Sequence, residues 1–258
     1  ALARGVTVLR NVAREPEIVE VQRFLNAMGA RVSGAGTDTI RVEGVTELKA
    51  CCHTVIPDRI EAGTFMVAAA LTGGDVLVEP VIPEHLEAVM AKLEEAGAEC
   101  LRVGPHAVRV RRSGRLRPFV VRTQSYPGFP TDMQAQFTAL ATLADGVSVV
   151  TERIYSSRFK HVDELRRMGA DILVDGQTAV IRGVPALTGT LVEASDLRAG
   201  AALVLAALAA QGTSWIEGIH HIDRGYERFC EKLRALGADI ARVAVGGDSL
   251  LPVHRAHA

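Results

Sequence analysis

The sequence predicts a mixed α/β fold of the α+β kind, built from repeated β/α units of about 70 residues. Two independent glycine markers support this prediction. In the first set a Gly-Ala pair ends an amphipathic helix, and in the second a glycine opens a strand-like run. The first set is Gly29, Gly97, Gly169 and Gly237, and the second is Gly5, Gly74, Gly146 and Gly212. Because both sets recur with one period, they indicate a true internal repeat.

Each unit reads as a strand, an amphipathic helix, two short strands and a second helix that is apolar on almost every side. The amphipathic type is clearest in residues 84–98, where apolar side chains recur with helical spacing along one face. The apolar, alanine-rich type is predicted within residues 60–74, 132–146 and 196–212. Such units cannot bury their apolar faces alone, so we expect them to pack together around these helices.

Composition limits the class of protein. The chain has 258 residues, 48% of them hydrophobic and 23% charged, as in a soluble globular protein of one large or two small domains. A net charge of −1 gives no reason to expect nucleic acid or an anionic membrane as partner. The four cysteines lack metal-ligand spacing, and the longest apolar run, residues 199–210, is too short to span a bilayer. We therefore predict a cytoplasmic protein with reduced thiols, no metal site and no cofactor.

The predicted N-terminal limit follows from the repeat. The chain begins without Met, and "ALAR" resembles the end of an apolar helix whose beginning is absent. Residues 1–15 are therefore predicted to be the remnant of a missing N-terminal domain, and residues 16–243 to form one domain. Residues 244–258 are predicted to be a disordered tail.

Polar residues cluster where the apolar helices begin. Aligning the repeats places Asp58 in register with Asp196, and Asp132 in register with Arg198. An Asp at such a position is an ordinary helix cap or a placed acid/base group. Arg198, in a first helical turn, is either solvated surface or part of an anion site. Histidines in the connectors, such as His161, have no firm ligand spacing, which disfavours a metal.

Five strings carry a family resemblance: "PDRIEAGTF", "FPTDMQAQF", "SSRFKHVDELRRMGAD", "DLRAGAALVLAALAAQG" and "HHIDRGYERFCEKLRALGA". Over residues 1–243 the chain closely resembles the enolpyruvyl transferases. The resemblance implies one domain of an inside-out α/β prism. It also implies transfer of the enolpyruvyl group from phosphoenolpyruvate to the 3-hydroxyl of UDP-N-acetylglucosamine, a step of peptidoglycan synthesis and hence of cell shape and division.

The resemblance assigns roles motif by motif. Asp132 is similar to the carboxylate at the attacking sugar hydroxyl, and Asp196 to a second catalytic carboxylate. The expected substrate-binding residues are Asp132, Ile154, Tyr155, Arg158, Arg198 and Arg224. Tyr155 stands where the family usually has Phe, and should still stack beside the nucleotide sugar.

One departure concerns the family's flexible "GC-x-IG-x-RP" loop with its catalytic Cys, which has no counterpart in this sequence. The resemblance therefore implies a fragment that is inactive alone and whose partner is the missing N-terminal domain. Two alternatives stay open: the related shikimate-pathway transferase, and a truncated, non-catalytic paralogue.

Overall fold

The computed structural model describes residues 1–245 and 248–254. Its first part runs β1 (Val6–Arg10), α1 (Pro16–Ala27), β2 (Arg31–Ser33), β3 (Thr39–Glu43), α2 (Arg59–Thr72), β4 (Asp75–Val78), α3 (Glu87–Glu95), β5 (Glu99–Arg102), β6 (Val108–Arg111) and β7 (Val120–Arg122). The second part runs α4 (Gln134–Ala141), β8 (Val147–Thr151), α5 (His161–Arg167), β9 (Asp171–Asp175), β10 (Thr178–Arg182), β11 (Leu191–Glu193) and α6 (Leu197–Ala209). It ends with β12 (Thr213–Glu217), α7 (His220–Asp223), α8 (Phe229–Ala235), β13 (Val243–Val245) and β14 (Asp248–His254). Short 3₁₀ turns at Pro83–Leu86 and Thr131–Met133 precede α3 and α4.

The same sheet recurs four times, which confirms the repeat. In each sheet the last strand of a unit lies between the first two and pairs antiparallel with both, giving the orders β1-β3-β2, β4-β6-β5, β8-β10-β9 and β12-β14-β13. Strands β7 and β11 extend two of these sheets by parallel pairing with β8 and β12.

The Gly-Ala marker has a conformational cause. Gly29, Gly97, Gly169 and Gly237 follow α1, α3, α5 and α8 with φ between 92° and 98°. In this left-handed region a Cβ atom is unfavourable, so glycine ends the helix with the least strain.

The core is built around three helices. The apolar helices α2, α4 and α6 pack against one another, and the sheets of the second to fourth units lie around them. Side chains such as Met66, Phe137 and Leu203 are fully buried there. This arrangement, with helices inside and sheets outside, is the one expected of a prism domain.

The first unit has a smaller hydrophobic core of its own. Its buried residues are Ala30, Val32 and Ile40, with partly buried neighbours that end at Leu48, whereas the large core begins at Ile60. Strand β1 pairs along its whole length with β3, so residues 6–10 share a sheet with residues after 16. The division between the two cores therefore falls within residues 49–58 and not after residue 15. Residues 1–5 are not helical, contrary to the interpretation of "ALAR".

The expectation of a disordered tail is wrong for residues 248–254. They form β14, which pairs with β12 and β13, and the Leu251 and Val253 side chains are buried. The physical reason is the repeat itself, because every unit needs two strands after its Gly-Ala pair to complete its sheet. Residues 246–247 and 255–258 of the predicted tail lie outside the described residues.

Candidate active site

The N-terminal ends of the three central helices carry the predicted polar cluster. Asp58 caps α2 by accepting hydrogen bonds from the amides of Ile60 and Glu61 at 2.7 and 3.1 Å. Asp196 caps α6 in the same way, accepting from the amides of Arg198 and Ala199, each at 2.9 Å. The register that placed these two carboxylates together therefore reflects one shared capping role.

Asp132 does not cap its helix. It lies in the 3₁₀ turn before α4, and the hydrogen bonds of its side chain come from arginines and not from helix amides. Its carboxylate instead lies between two guanidinium groups. Arg158 donates Nη2–H to Oδ1 at 2.6 Å, and Arg198 donates Nη2–H and Nε–H to Oδ2 at 2.8 and 3.2 Å. Of the two interpretations of such an Asp, the ordinary helix cap is therefore wrong for Asp132.

The two arginines set the charge of Asp132. Burial by itself would raise the pKa of this carboxyl group, but the charge of Arg198 and the hydrogen bond and charge of Arg158 outweigh burial. The net pKa of Asp132 therefore lies below its ordinary value, and the group is a carboxylate at neutral pH. Its side chain remains 35% exposed, so a ligand can reach it.

A buried network of polar side chains holds Arg198 on the side that faces the core. Arg198 Nη1–H donates to the Tyr226 hydroxyl at 3.3 Å. The Thr64 hydroxyl donates to the Ile60 carbonyl, so it accepts from the Tyr226 hydroxyl, 3.0 Å away. The Gln136 amide also donates to the Thr64 hydroxyl at 3.1 Å. Because these groups come from all three central helices, Arg198 is fixed relative to the core.

The segment between β8 and α5 forms a second wall. Ile154 and Tyr155 are 41% and 59% exposed, and the Arg158 guanidinium lies over the Tyr155 ring at 5.2 Å. His161, the first residue of α5, is fully buried. Desolvation lowers its pKa to about 4, against the opposing charge of Asp196, so its imidazole is neutral at pH 7.

Two adjoining pockets lie between the first unit and the large core, and the second wall lines one of them. One has a volume of about 450 Å³ and is lined by residues that include Ile18, Tyr126, Asp132 and Tyr155. The other, of about 440 Å³, is lined by residues that include Phe24, His53, His85, Asp132 and Arg198. Asp132 thus lies on the boundary between both pockets, where the two cores face each other.

Helix α1 ties the first unit to the large core through acidic side chains. Glu17 accepts from Arg59 Nη2 and Nε at 2.9 and 3.1 Å, and the Arg59 guanidinium lies over the Tyr126 ring at 5.8 Å. Burial would raise the pKa of Glu17, but the hydrogen bond and charge of Arg59 lower it overall. Glu20 accepts from the Ile56 amide and lies 2.8 Å from His53 Nε2. Arg59, in a first helical turn, is therefore an ion-pair partner rather than solvated surface.

The structure brings together most, but not all, of the predicted site residues. Asp132, Arg158 and Arg198 form one cluster, and Ile154 and Tyr155 lie beside it through Arg158. Asp196 is exposed and its recorded contacts are those of a cap. Arg224 is exposed at the end of α7, and within residues 1–245 and 248–254 no hydrogen bond or ion pair joins it to the others.

Sequence reasoning did not predict Thr64, Gln136 and Tyr226, which form the network beside Arg198. It also did not predict Thr131 and Glu152: the Thr131 hydroxyl donates to Glu152 and accepts from Arg158. Thr131 and Tyr226 lie inside strings used for the resemblance, but nothing in their spacing marks them as polar partners of an arginine. Glu152 had a signal, because an acidic residue directly follows the apolar strand β8.

Among residues 1–245 and 248–254, no group of three or more His, Cys, Asp or Glu side chains is placed to hold a metal ion. Within the same residues, no helix is both long enough and apolar enough to cross a bilayer.

Comparisons with known proteins identify relatives of this chain. UDP-N-acetylglucosamine 1-carboxyvinyltransferase 1 of Carboxydothermus hydrogenoformans is 58% identical over 94% of this chain and 58% of its own length. UDP-N-acetylglucosamine 1-carboxyvinyltransferase of an Anaeromyxobacter species is 60% identical over 94% of this chain and 57% of its own length. The chain thus spans a little over half the length of these curated relatives.

Solved structures show the same fold. The enolpyruvyl transferase NikO from Streptomyces tendae superposes with a TM-score of 0.79 at 29% identity, covering 93% of this chain and 57% of NikO. EPSP synthase from Acinetobacter baumannii superposes with a TM-score of 0.66 at 25% identity, covering 91% of this chain and 57% of that enzyme. A sequence profile of EPSP synthase matches residues 1–233. The predicted resemblance is confirmed, and the chain belongs to the EPSP synthase (3-phosphoshikimate 1-carboxyvinyltransferase) family.

Proposed function

We propose that this chain carries part of the active site for transfer of an enolpyruvyl group from phosphoenolpyruvate to the 3-hydroxyl of UDP-N-acetylglucosamine. The observation that carries the proposal is the Asp132 carboxylate, held between Arg158 and Arg198 on the boundary of two pockets. A carboxylate next to two cations suits a reaction between a hydroxyl group and an anionic substrate. The names of the curated relatives support this choice of substrates.

In the proposed reaction Asp132 is the base. As the sugar oxygen bonds to the second carbon of phosphoenolpyruvate, the hydroxyl proton passes to Asp132 and the methylene carbon takes a proton from a general acid. Loss of a proton from the resulting methyl group and of phosphate then yields the enolpyruvyl ether. Asp196 is proposed as the second active-site carboxylate, in addition to its capping role.

The arginines couple anion binding to the strength of this base. With Arg158 and Arg198 bound to it, Asp132 has a lowered pKa and is a weak base. A phosphate or carboxylate group competes for the same guanidinium donors. Once an anion engages them, the pKa of Asp132 rises and the carboxylate becomes a stronger base next to the acceptor hydroxyl. Arg224 is exposed and lies close to Tyr226 in the sequence. It is proposed as a further anion-binding arginine.

The nucleotide sugar is proposed to lie along Ile154 and Tyr155. An exposed aliphatic side chain beside an exposed aromatic ring offers an apolar surface for one face of a sugar or base.

The shikimate-pathway reaction is the second candidate, because the matching profile is that of EPSP synthase. The chain is 55–60% identical to curated relatives named for UDP-N-acetylglucosamine, but 25% identical to EPSP synthase from Acinetobacter baumannii. This difference favours UDP-N-acetylglucosamine as the acceptor. Calorimetric titration of the chain with each acceptor separates them. Saturable binding of UDP-N-acetylglucosamine, at least about tenfold tighter than shikimate 3-phosphate, is expected. The reverse preference would reject the proposed acceptor.

The chain alone is proposed to have negligible turnover. In the part of the chain that the structure describes, the lining of the two pockets at Asp132 includes no cysteine, which supports the proposal that the Cys general acid is missing. An assay of phosphate release from phosphoenolpyruvate and UDP-N-acetylglucosamine should give the rate of a protein-free blank. Clear release would show that the chain contains a complete catalytic set.

The proposed partner of the first unit is the N-terminal domain that the family resemblance implies. The surface of the first unit carries exposed apolar side chains on β1 (Val6, Val8 and Leu9) and on α1 (Val21 and Phe24). Apolar patches of this kind mark an interface. Sedimentation of the chain alone should show concentration-dependent association, and a strictly monomeric chain would argue against this interface.

We place the reaction in the cytoplasm, in peptidoglycan synthesis, and the four free cysteines support a reducing compartment.

A further inference from the structure

Glu152 is a fully buried carboxylate directly after β8, and all its hydrogen-bond partners are donors. Its Oε1 accepts from the Thr123 hydroxyl at 2.8 Å and from the amides of Ile154 and Tyr155 at 2.7 and 3.1 Å. Its Oε2 accepts from the Thr131 hydroxyl at 2.9 Å. Burying a charged side chain is unfavourable unless donors surround it, so these hydrogen bonds and not apolar packing hold Glu152 in place.

The Oε1 contacts fix the wall of the pocket. The three amides that follow Glu152 all point inward, because the Arg153 amide donates to the Thr123 hydroxyl at 2.7 Å and the next two donate to Glu152. Turning these amides inward directs the side chains of Ile154 and Tyr155 outward, where both are exposed.

The Oε2 contact reaches the other half of the site. Thr131 donates its hydroxyl hydrogen to Glu152 and accepts from Arg158 Nη1, whose Nη2 binds Asp132. Thr131 also directly precedes Asp132 in the chain. One side chain therefore orients Thr131, Arg158 and, through them, the candidate base.

Only a carboxylate satisfies all these groups at once. It accepts at both oxygens and has no hydrogen to place. A glutamine at this position keeps the Oε1 contacts, but its amide group replaces Oε2 and faces the Thr131 hydroxyl. Thr131 must then accept from both the new amide and Arg158, and its own hydrogen loses its acceptor.

We propose that Glu152 is the positioning residue of this site, setting the Ile154–Tyr155 wall through Oε1 and the Arg158–Asp132 pair through Oε2. The inference deepens the proposed function, since the two walls are those assigned to the nucleotide sugar and to the anion. It also concerns geometry that can be measured without any turnover.

The first arm of the test is hydrogen exchange in the full chain. E152A should raise exchange at the amides of Ile154 and Tyr155 by about tenfold or more, because both lose their acceptor. E152Q should leave that exchange within about threefold of wild type, since Oε1 is kept. T151V, at the neighbouring position of β8, is the matched control. Exchange in E152A equal to that in T151V overturns the proposal, and if E152A fails to fold, the same comparison is made with the shorter E152D, which withdraws the carboxylate from both amides.

The second arm is the affinity for inorganic phosphate, measured calorimetrically. E152Q removes a negative charge near Arg158, so simple electrostatics predicts tighter phosphate binding. Loss of positioning predicts the opposite, and we expect E152Q and T131V to weaken phosphate binding by about threefold or more while T151V leaves it unchanged. Tighter or unchanged binding in E152Q overturns the role at Arg158. If the wild type binds phosphate but no UDP-N-acetylglucosamine, the proposed function fails while both arms still decide the role of Glu152.

Discussion

Two arginines decide what Asp132 does. An aspartate before a helix is usually a cap, as Asp58 and Asp196 are. Arg158 and Arg198 instead hold the Asp132 carboxylate away from the helix amides and lower its pKa. The same pair of cations gives an incoming anion a reason to bind there, which links the charge of one residue to the proposed chemistry.

His161 provides a test of burial at the residue scale. Its folded pKa, about 4, lies below the ordinary value of 6.5, so the unfolded chain binds a proton between these pH values and the folded chain does not. The stability that the neutral His161 imidazole contributes to the folded chain is therefore complete above pH 6.5 and is lost as pH falls toward 4. Urea unfolding should show wild type losing up to about 2 kcal/mol more than H161Q between pH 7 and pH 5. H106Q, at an exposed histidine, should follow wild type, and parallel pH profiles for wild type and H161Q would contradict the buried neutral imidazole.

At the scale of elements, helix α6 joins the core to the site. Ten of its residues are buried, and its N-terminal end carries the Asp196 cap and Arg198. The close packing is visible at Gly200, where an added Cβ would lie 2.7 Å from an Ile222 side-chain atom. Because α7 packs this tightly on α6, the position of Arg198 depends on the packing of the helix as well as on its partners.

The cap of α6 can be separated from any catalytic role of Asp196. Asparagine caps helices about as well as aspartate, whereas alanine does not. D196A should lower the free energy of unfolding by about 1 kcal/mol, and D196N by less than about 0.5 kcal/mol. Equal losses in the two variants, measured by urea unfolding, would mean that the charge and not the cap stabilises the helix.

The closing strand β14 makes a second prediction at this scale. Val253 is fully buried opposite Ser214 of β12, whereas Val243 of β13 is 37% exposed. V253A should therefore destabilise the large core by about 2 kcal/mol, and V243A by less than about 1 kcal/mol. Similar unfolding midpoints for the two variants would mean that residues 248–254 do not stabilise the sheet.

At the scale of the whole molecule, two cores face each other across the pockets that meet at Asp132. The first unit is held there by Glu17 on Arg59 and by Glu20 on the Ile56 amide. These contacts are partly exposed, and they border one of the pockets directly. Movement of the first unit relative to the large core would therefore change the shape of the site.

Sequence reasoning reached the repeat because it rests on local rules: glycine at positive φ after Gly29, Gly97, Gly169 and Gly237, and helical periodicity before them. It also placed Asp132 and Arg198 at equivalent positions of the repeat, near the beginnings of two apolar helices, and in the structure two hydrogen bonds join them. It missed the contact of Glu152 with Thr131, because that contact links residues 21 positions apart through a fold the sequence does not display. It missed β14 because the predicted tail was judged by resemblance and not by the repeat.

The most direct test of the account is calorimetric titration of wild type and D132N with UDP-N-acetylglucosamine and with inorganic phosphate. D145N is the matched control, since Asp145 forms an exposed ion pair with Arg115 outside the site. D132N should bind the nucleotide sugar about fivefold or more weakly, because the acceptor hydroxyl loses its carboxylate. It should bind phosphate more tightly, because Arg158 and Arg198 are released from their competitor. Nucleotide-sugar binding by D132N equal to that of wild type and D145N would contradict the central claim that Asp132 meets the acceptor.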